Sequence, residues 1–136
     1  MPIDDKETLK EILLQTKTIA IVGVSPKPWR DSGAIASHLQ ARGYTIFPVN
    51  PNYDEVNGAR CYPDLRSIPE QVDLVDIFRR SEEVMPIVEE AIKIGAKTIW
   101  MQLEVVNHEA AKKAEEAGLN VVMNLCIAVE HRRLIR

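Results

Sequence analysis

Cysteine is nearly missing from this sequence. Cys61 and Cys126 lie far apart and lack CxxC spacing, which excludes a disulfide framework or a thiolate zinc site and predicts two reduced thiols. Long hydrophobic runs are missing too: "TIAIVGV" and "LVDIF" fall far short of the ~20 apolar residues that span a bilayer. The opening "MPIDDKETLK" has no charged-then-apolar secretory pattern. Neither sign of charge dominates, since 17 Lys and Arg face 20 Asp and Glu for a formal charge of -3. Such a surface offers nothing basic to nucleic acid or to an anionic membrane. No internal repeat, low-complexity tract or linker interrupts the chain. These absences predict a soluble cytoplasmic protein, and 136 residues are enough for one domain over 1–136 with its own core.

What is present alternates between two periods. Residues 5 to 16 read as a helix with Leu9, Ile12 and Leu13 on one stripe. "TIAIVG" (18–23) is a continuous apolar run, the mark of a strand covered on both faces. Ile35, Ala36 and Leu39 follow with helical spacing and Gly43 in position to stop the helix. "YTIFPVN" is a second strand. The long irregular stretch "PNYDEVNGARCYPDLRSIP" carries a turn at Asn57-Gly58 and a possible edge strand at "ARCY", and loops of that length in compact domains often serve ligands.

"VDLVDIF" resumes the strands, and Ser81, Glu82 and Glu83 suit the start of a helix that ends at Gly95, with Pro86 kinking it or shifting its start. "KTIWMQ" is followed by Asn107, expected to cap "HEAAKKAEEAG", then "LNVVMN" and a last helix through "AVEHRRLI". The pattern predicts an α/β, Rossmann-like three-layer fold: a mostly parallel sheet of five or six strands with helices on both faces. Six strands would take the order 3-2-1-4-5-6, five the flavodoxin-like order.

Ligands of such sheets bind beyond the carboxyl ends of the strands, where successive crossovers diverge. The first turn there offers free amides, the Ser25 hydroxyl, Lys27 and Arg30 ahead of a helix N-terminus, an arrangement that stabilises phosphate oxygens. Solvated loop charges are the ordinary alternative, but the buried strand before the turn and the helix after it favour phosphate. GxGxxG would need glycines where Ser25 and Pro28 stand, and strand two ends in "VNP" rather than in an acidic residue for ribose hydroxyls, so NAD is disfavoured. GxxxxGK[ST] is absent as well. Asn50 and Pro51 could border an adenine or a ribose.

In their order, "IAIVGVSPKPWRDSG", "YTIFPVNPNYDEVNG", "CYPDLRSIPEQVDLVDIFR", "KTIWMQL" and "GLNVVMNLCIAVEHRRL" resemble the stand-alone CoA-binding proteins of the Rossmann-like CoA-binding domain family. The same domain forms the N-terminal part of the succinyl-CoA synthetase alpha subunit. The resemblance runs from about residue 15 to 135, with "VNP" and the "NxC" of Asn124 to Cys126 as its most specific elements. It implies coenzyme A as cofactor, with Gly23, Val24, Ser25, Pro26, Lys27, Pro28 and Arg30 around the diphosphate and Asn50, Pro51 and Tyr53 by the adenosine. It further implies Ile77, Phe78 and Arg79 along the pantetheine arm and diphosphate, and Gln102, Leu103, Glu104 and Asn124 towards the far end. The synthetase's glycine-rich turn after strand five is replaced here by "MQLEVVN".

Catalytic constellations are thin. The synthetases need a phosphohistidine domain and a nucleotide-binding subunit that these residues do not include, so a complete ligase is not expected. Cys126 and His131 are five positions apart, about 140° around a helix, and a buried inert thiol is the commoner role for Cys126, although its place near a helix N-terminus would suit a mixed disulfide with CoA. His38 and His108 read as surface or capping residues, and Glu130, His131, Arg132 and Arg133 as a solvated face. Asp73 and Asp76 bracket a strand, with Asp76 a candidate functional carboxylate at its end but no paired-carboxylate site, and Trp29 and Trp100 read as packing or pocket walls. No catalytic or metal-binding residue is predicted. The expectation is a binder of CoA or acyl-CoA acting as a non-catalytic carrier, sensor or accessory. The alternative is an enzyme using an adenine dinucleotide in the same crevice. The apolar stripe of the last helix hints at a homo-oligomer or protein partner.

Overall fold

The computed structural model describes residues 2–24, 31–56 and 58–135. Helix α1 (Lys6–Gln15) starts on Asp5, whose carboxylate accepts from the Thr8 amide, and it buries the expected stripe of Leu9, Ile12 and Leu13. Strand β1 (Thr18–Val22) is buried on both faces. Helix α2 (Asp31–Ala41) leads back to β2 (Thr45–Val49). A two-residue hairpin follows, β3 (Glu55–Val56) and β4 (Ala59–Arg60), then a 3₁₀ turn at Leu65–Ser67 and β5 (Leu74–Ile77). A second 3₁₀ turn at Ser81–Glu83 opens into α3 (Val84–Lys93), placing Pro86 in the first helical turn, where its missing N–H costs no ladder bond. β6 (Thr98–Met101), α4 (His108–Glu116), β7 (Asn120–Val122) and α5 (Ile127–Leu134) complete the chain.

The sheet is five-stranded in the order β2-β1-β5-β6-β7 with every pairing parallel, so the flavodoxin-like order holds and the six-stranded one does not. The predicted "ARCY" strand pairs instead within the β3–β4 hairpin. Among the described residues a single parallel bridge, Val49 to Tyr62, remains where a sixth strand would lie. There the Asn50 amide donates to the Tyr62 carbonyl and the Tyr62 amide to Pro48, both at 2.9 Å. Pro48 explains part of this: its outward side has no donor, so a full ladder cannot form beyond β2. At the other edge, the Ile3 amide donates to Val121 at 2.7 Å.

Alternating side chains along each strand feed two cores. Ile19, Ile21, Leu74 and Trp100 meet α1, α2 and α5 on one face, while Ala20, Val22, Val75, Ile77, Ile99 and Met101 meet α3 and α4 on the other. α2 therefore crosses on one face after β1 and α3 on the opposite face after β5. These two strands are neighbours, so the switch point of the fold lies at their carboxyl ends.

Three polar readings change with the tertiary packing. His38 is not a plain surface residue, because its Nε2 is buried with no hydrogen-bond partner among the described residues. The last helix does not present one solvated face: Glu130 and His131 are buried while Arg132 and Arg133 are exposed. Asp76 sits inside β5 rather than at its end, completely buried, with neither carboxylate oxygen partnered among the described residues.

Candidate functional site

Gly23 ends β1 at φ 92°, a conformation that favours glycine. Its amide donates to Val49 at 2.9 Å, and a Cβ there would stand 2.5 Å from the Phe78 carbonyl oxygen and 2.9 Å from Arg79 Cδ. The backbone of β1 therefore runs closely past that of β5 at the switch point. Val24 is fully buried, and its carbonyl accepts from the Asn50 side-chain amide at 2.9 Å. Ser25, Pro26, Lys27, Pro28 and Arg30, the predicted diphosphate turn, lie outside the described residues.

Below Gly23 a cleft of about 460 Å³ opens on the α3 side of the sheet, within the range of small-molecule sites. Val22, Gly23, Val49 and Pro51 form its inner wall, Pro63, Asp64 and Leu65 one flank, and Arg79, Glu82, Glu83, Pro86, Ile87 and Glu90 the other. Of the residues expected at a ligand, Gly23, Pro51 and Arg79 come together here. The contributions of Pro63–Leu65 and of α3 are additional. The length of the loop after β2 pointed towards the first group; nothing in the helical periodicity marked Pro86, Ile87 or Glu90 as cleft residues.

The acids around the cleft are mostly occupied internally. Asp64 accepts from the amide and hydroxyl of Ser67 at 2.9 and 2.7 Å, and the hydroxyl contact holds its carboxyl below the usual range. Glu90 accepts from the Leu65 amide at 3.1 Å and from Arg66 Nε at 2.9 Å, tying the 3₁₀ turn to α3. Glu83 is paired with the Arg79 guanidinium one helical turn away, and that hydrogen bond lowers its carboxyl pKa. Arg79 is the cation that faces this cleft among its described lining residues.

Other predicted residues serve the frame. Asn50 is buried and, besides its bond to Val24, accepts from the Asn52 amide at 2.9 Å. Tyr53 and Phe78 are partly buried against the α2-side core, and Ile77 is wholly within the α3-side core. Gln102, also buried, accepts from the Ile127 amide at 3.0 Å, so it caps α5 where Cys126 supplies no side-chain bond. Asn124 accepts from the Glu104 amide at 2.7 Å, with both residues at positive φ of 61° and 70°. Leu103 is exposed on the rim between them. Ser81 binds this rim to the next helix: its hydroxyl accepts from Val106 and its carbonyl from Asn107 Nδ2, each at 2.9 Å. Among the described residues no cluster of three His, Cys, Asp or Glu is placed to hold a metal ion, and no helix is long and apolar enough to cross a membrane.

An open parallel sheet with a glycine-pinched switch point and an apolar cleft beside it defines a nucleotide- or cofactor-binding α/β domain. The chain belongs to the CoA binding domain family, whose model matches residues 17–132. A Bacillus subtilis protein, the uncharacterized protein YneT, is 41% identical over 126 residues, 93% of each chain. The ADP-forming acetate–CoA ligase I of Archaeoglobus fulgidus is 30% identical over 129 residues, which cover 88% of this chain but 19% of the ligase. Among solved structures, a hypothetical protein from Pyrococcus horikoshii OT3 superposes with a TM-score of 0.96 at 46% identity, covering 100% of this chain and 97% of its own.

Proposed function

We propose that this chain binds coenzyme A or an acyl-CoA across the carboxyl edge of its sheet, as a carrier, sensor or accessory without autonomous catalysis. The observation that carries the reading is the close approach of β1 and β5 at Gly23, beside the apolar cleft that Gly23 lines. In this reading the diphosphate lies at the turn 25–30 before α2, with Lys27, Arg30 and Arg79 as its cations. The adenosine lies against Pro51 and Pro63 in the cleft, and the pantetheine arm crosses the rim at Phe78, Gln102, Leu103 and Asn124. Membership of the family and likeness to one region of a CoA ligase support the cofactor. A non-catalytic role and a cytoplasmic setting are parts of the same proposal.

Isothermal titration against CoA, acetyl-CoA, NAD, NADP and FMN tests the assignment. CoA or its acetyl ester should bind tightest, and Lys27→Ala with Arg30→Ala should weaken CoA more than pantetheine. Preference for a nicotinamide dinucleotide would overturn the reading in favour of an enzyme.

A further inference from the structure

A second concavity lies at the other end of the sheet. α2 and α5 both begin at the carboxyl edge, where Gln102 meets the Ile127 amide, and both run down to the amino edge. Between their last turns is a cavity of about 500 Å³ lined by Arg42, His131, Arg132 and Ile135. His131 is only 6% exposed and has ring contacts with His38 and Tyr44, centroids 6.1 and 5.6 Å away. Tyr44 is not free to serve the imidazole, because its hydroxyl donates to the Leu13 carbonyl of α1 at 2.6 Å.

Four basic side chains thus converge with no counter-ion among the described residues. Neither Arg42 nor Arg132 has a carboxylate within ion-pairing distance among the described residues. Glu130, the acid nearest in sequence, is paired with Arg133 at 3.3 Å. His131 makes no side-chain hydrogen bond among the described residues, and His38 Nε2 is buried and unpartnered. Cations at the ends of α2 and α5 complement the helix dipoles, which accounts for exposed arginines but not for the buried His131 and half-buried His38 imidazoles beside them. Burial pushes both imidazole pKa values down, and the neighbouring positive charges, Arg42 and Arg132 for His38 and His38 and Arg42 for His131, push the same way.

We propose that this concavity is a second binding site, for a small oxyanion held between the guanidinium groups of Arg42 and Arg132 over the His131 imidazole. An anion there supplies the missing counter-charge and gives the His131 N–H an acceptor. Ile135 leaves one wall apolar, so the anion can belong to a small organic molecule bearing phosphate or carboxylate. The site is independent of the cleft at the opposite edge and stands whether or not that cleft takes CoA.

The test is a titration of the full chain with inorganic phosphate and, separately, citrate at constant ionic strength, following the histidine ring signals by NMR with sodium chloride as control. His38 and His131 signals should move saturably, and their apparent pKa values should rise with bound anion, while exposed His108 stays still. Citrate binding tighter than phosphate assigns carboxylate chemistry, and the reverse assigns phosphate; either supports the site. Arg42→Gln with Arg132→Gln should weaken binding roughly tenfold or more and leave CoA titration unchanged. Ring signals that respond to chloride as they do to phosphate, or a double variant that binds undiminished, would overturn the proposal.

Discussion

The carbonyl oxygen of Phe78 occupies the space that any side chain at position 23 would need. A Cβ on Gly23 would lie 2.5 Å from that oxygen, and the residue's φ of 92° is itself strained for an L-amino acid. β1 and β5 can therefore close on one another at the switch point only through glycine. Gly23→Ala should lower the free energy of unfolding by about 1–3 kcal/mol and displace Arg79, whose Cδ is the next atom met. A urea transition read with CoA titration checks both effects; a variant of unchanged midpoint would show that the strands can part without loss.

Asp76 should make stability depend on pH in an unusual sense for a carboxylate. Burial without a partner raises its pKa well above the ordinary 3.8, so between the unfolded and folded values the native state holds a proton that the unfolded chain has released. Stability from this group is full below about 3.8 and is lost as pH rises through the folded value. Asp76→Asn should therefore flatten the alkaline side of the profile. Melting temperatures of the two proteins should diverge in the variant's favour as pH rises above the ordinary carboxylate range, and parallel curves would refute the assignment.

Arg79, the cation of the cleft, is engaged by Glu83 beside it. Removing the acid by Glu83→Gln frees the guanidinium and should tighten CoA about two- to fivefold, the scale of a half-exposed ion pair. Arg79→Ala should instead weaken it. Calorimetric affinities in low and moderate salt test the pair together, since the gain from Glu83→Gln should shrink as salt rises.

Asn107 performs two tasks with one side chain. Its Oδ1 accepts from the Ala110 amide at 2.9 Å, capping α4, while its Nδ2 donates to Ser81 at 2.9 Å. Asn107→Asp keeps the cap and abolishes the second bond; Asn107→Ala loses both. Thermal unfolding should rank wild type above Asp and Asp above Ala, with the Ala variant about 1–2 kcal/mol down.

Local signals proved sufficient for the elements themselves. The α1 stripe, the apolar strands, the Asn107 cap and the glycine at the end of α2, Gly43 at φ 100°, all follow from period, capping chemistry and backbone freedom within a few residues. What depended on distant partners was not visible. Nothing near Tyr62 announces that it meets β2 by one bridge, and the charged run 130–133 gives no sign that Glu130 and His131 lie out of water. Asp76 looks like a strand-end carboxylate until β1 and β6 enclose it. In the cleft, the strand ends were legible from topology alone, whereas the α3 wall depends on how that helix packs over the loop after β2.

Both borders of the sheet carry obstacles to a further strand. At β2 the outward peptide groups are met by Tyr62 and interrupted by Pro48, and at β7 the Ile3 amide has already taken Val121. Exposed borders are what let folded proteins zip together into extended β aggregates. Here a proline, one bridge and a short leading segment occupy part of each border, so a strand added from a copy or partner would have to displace them.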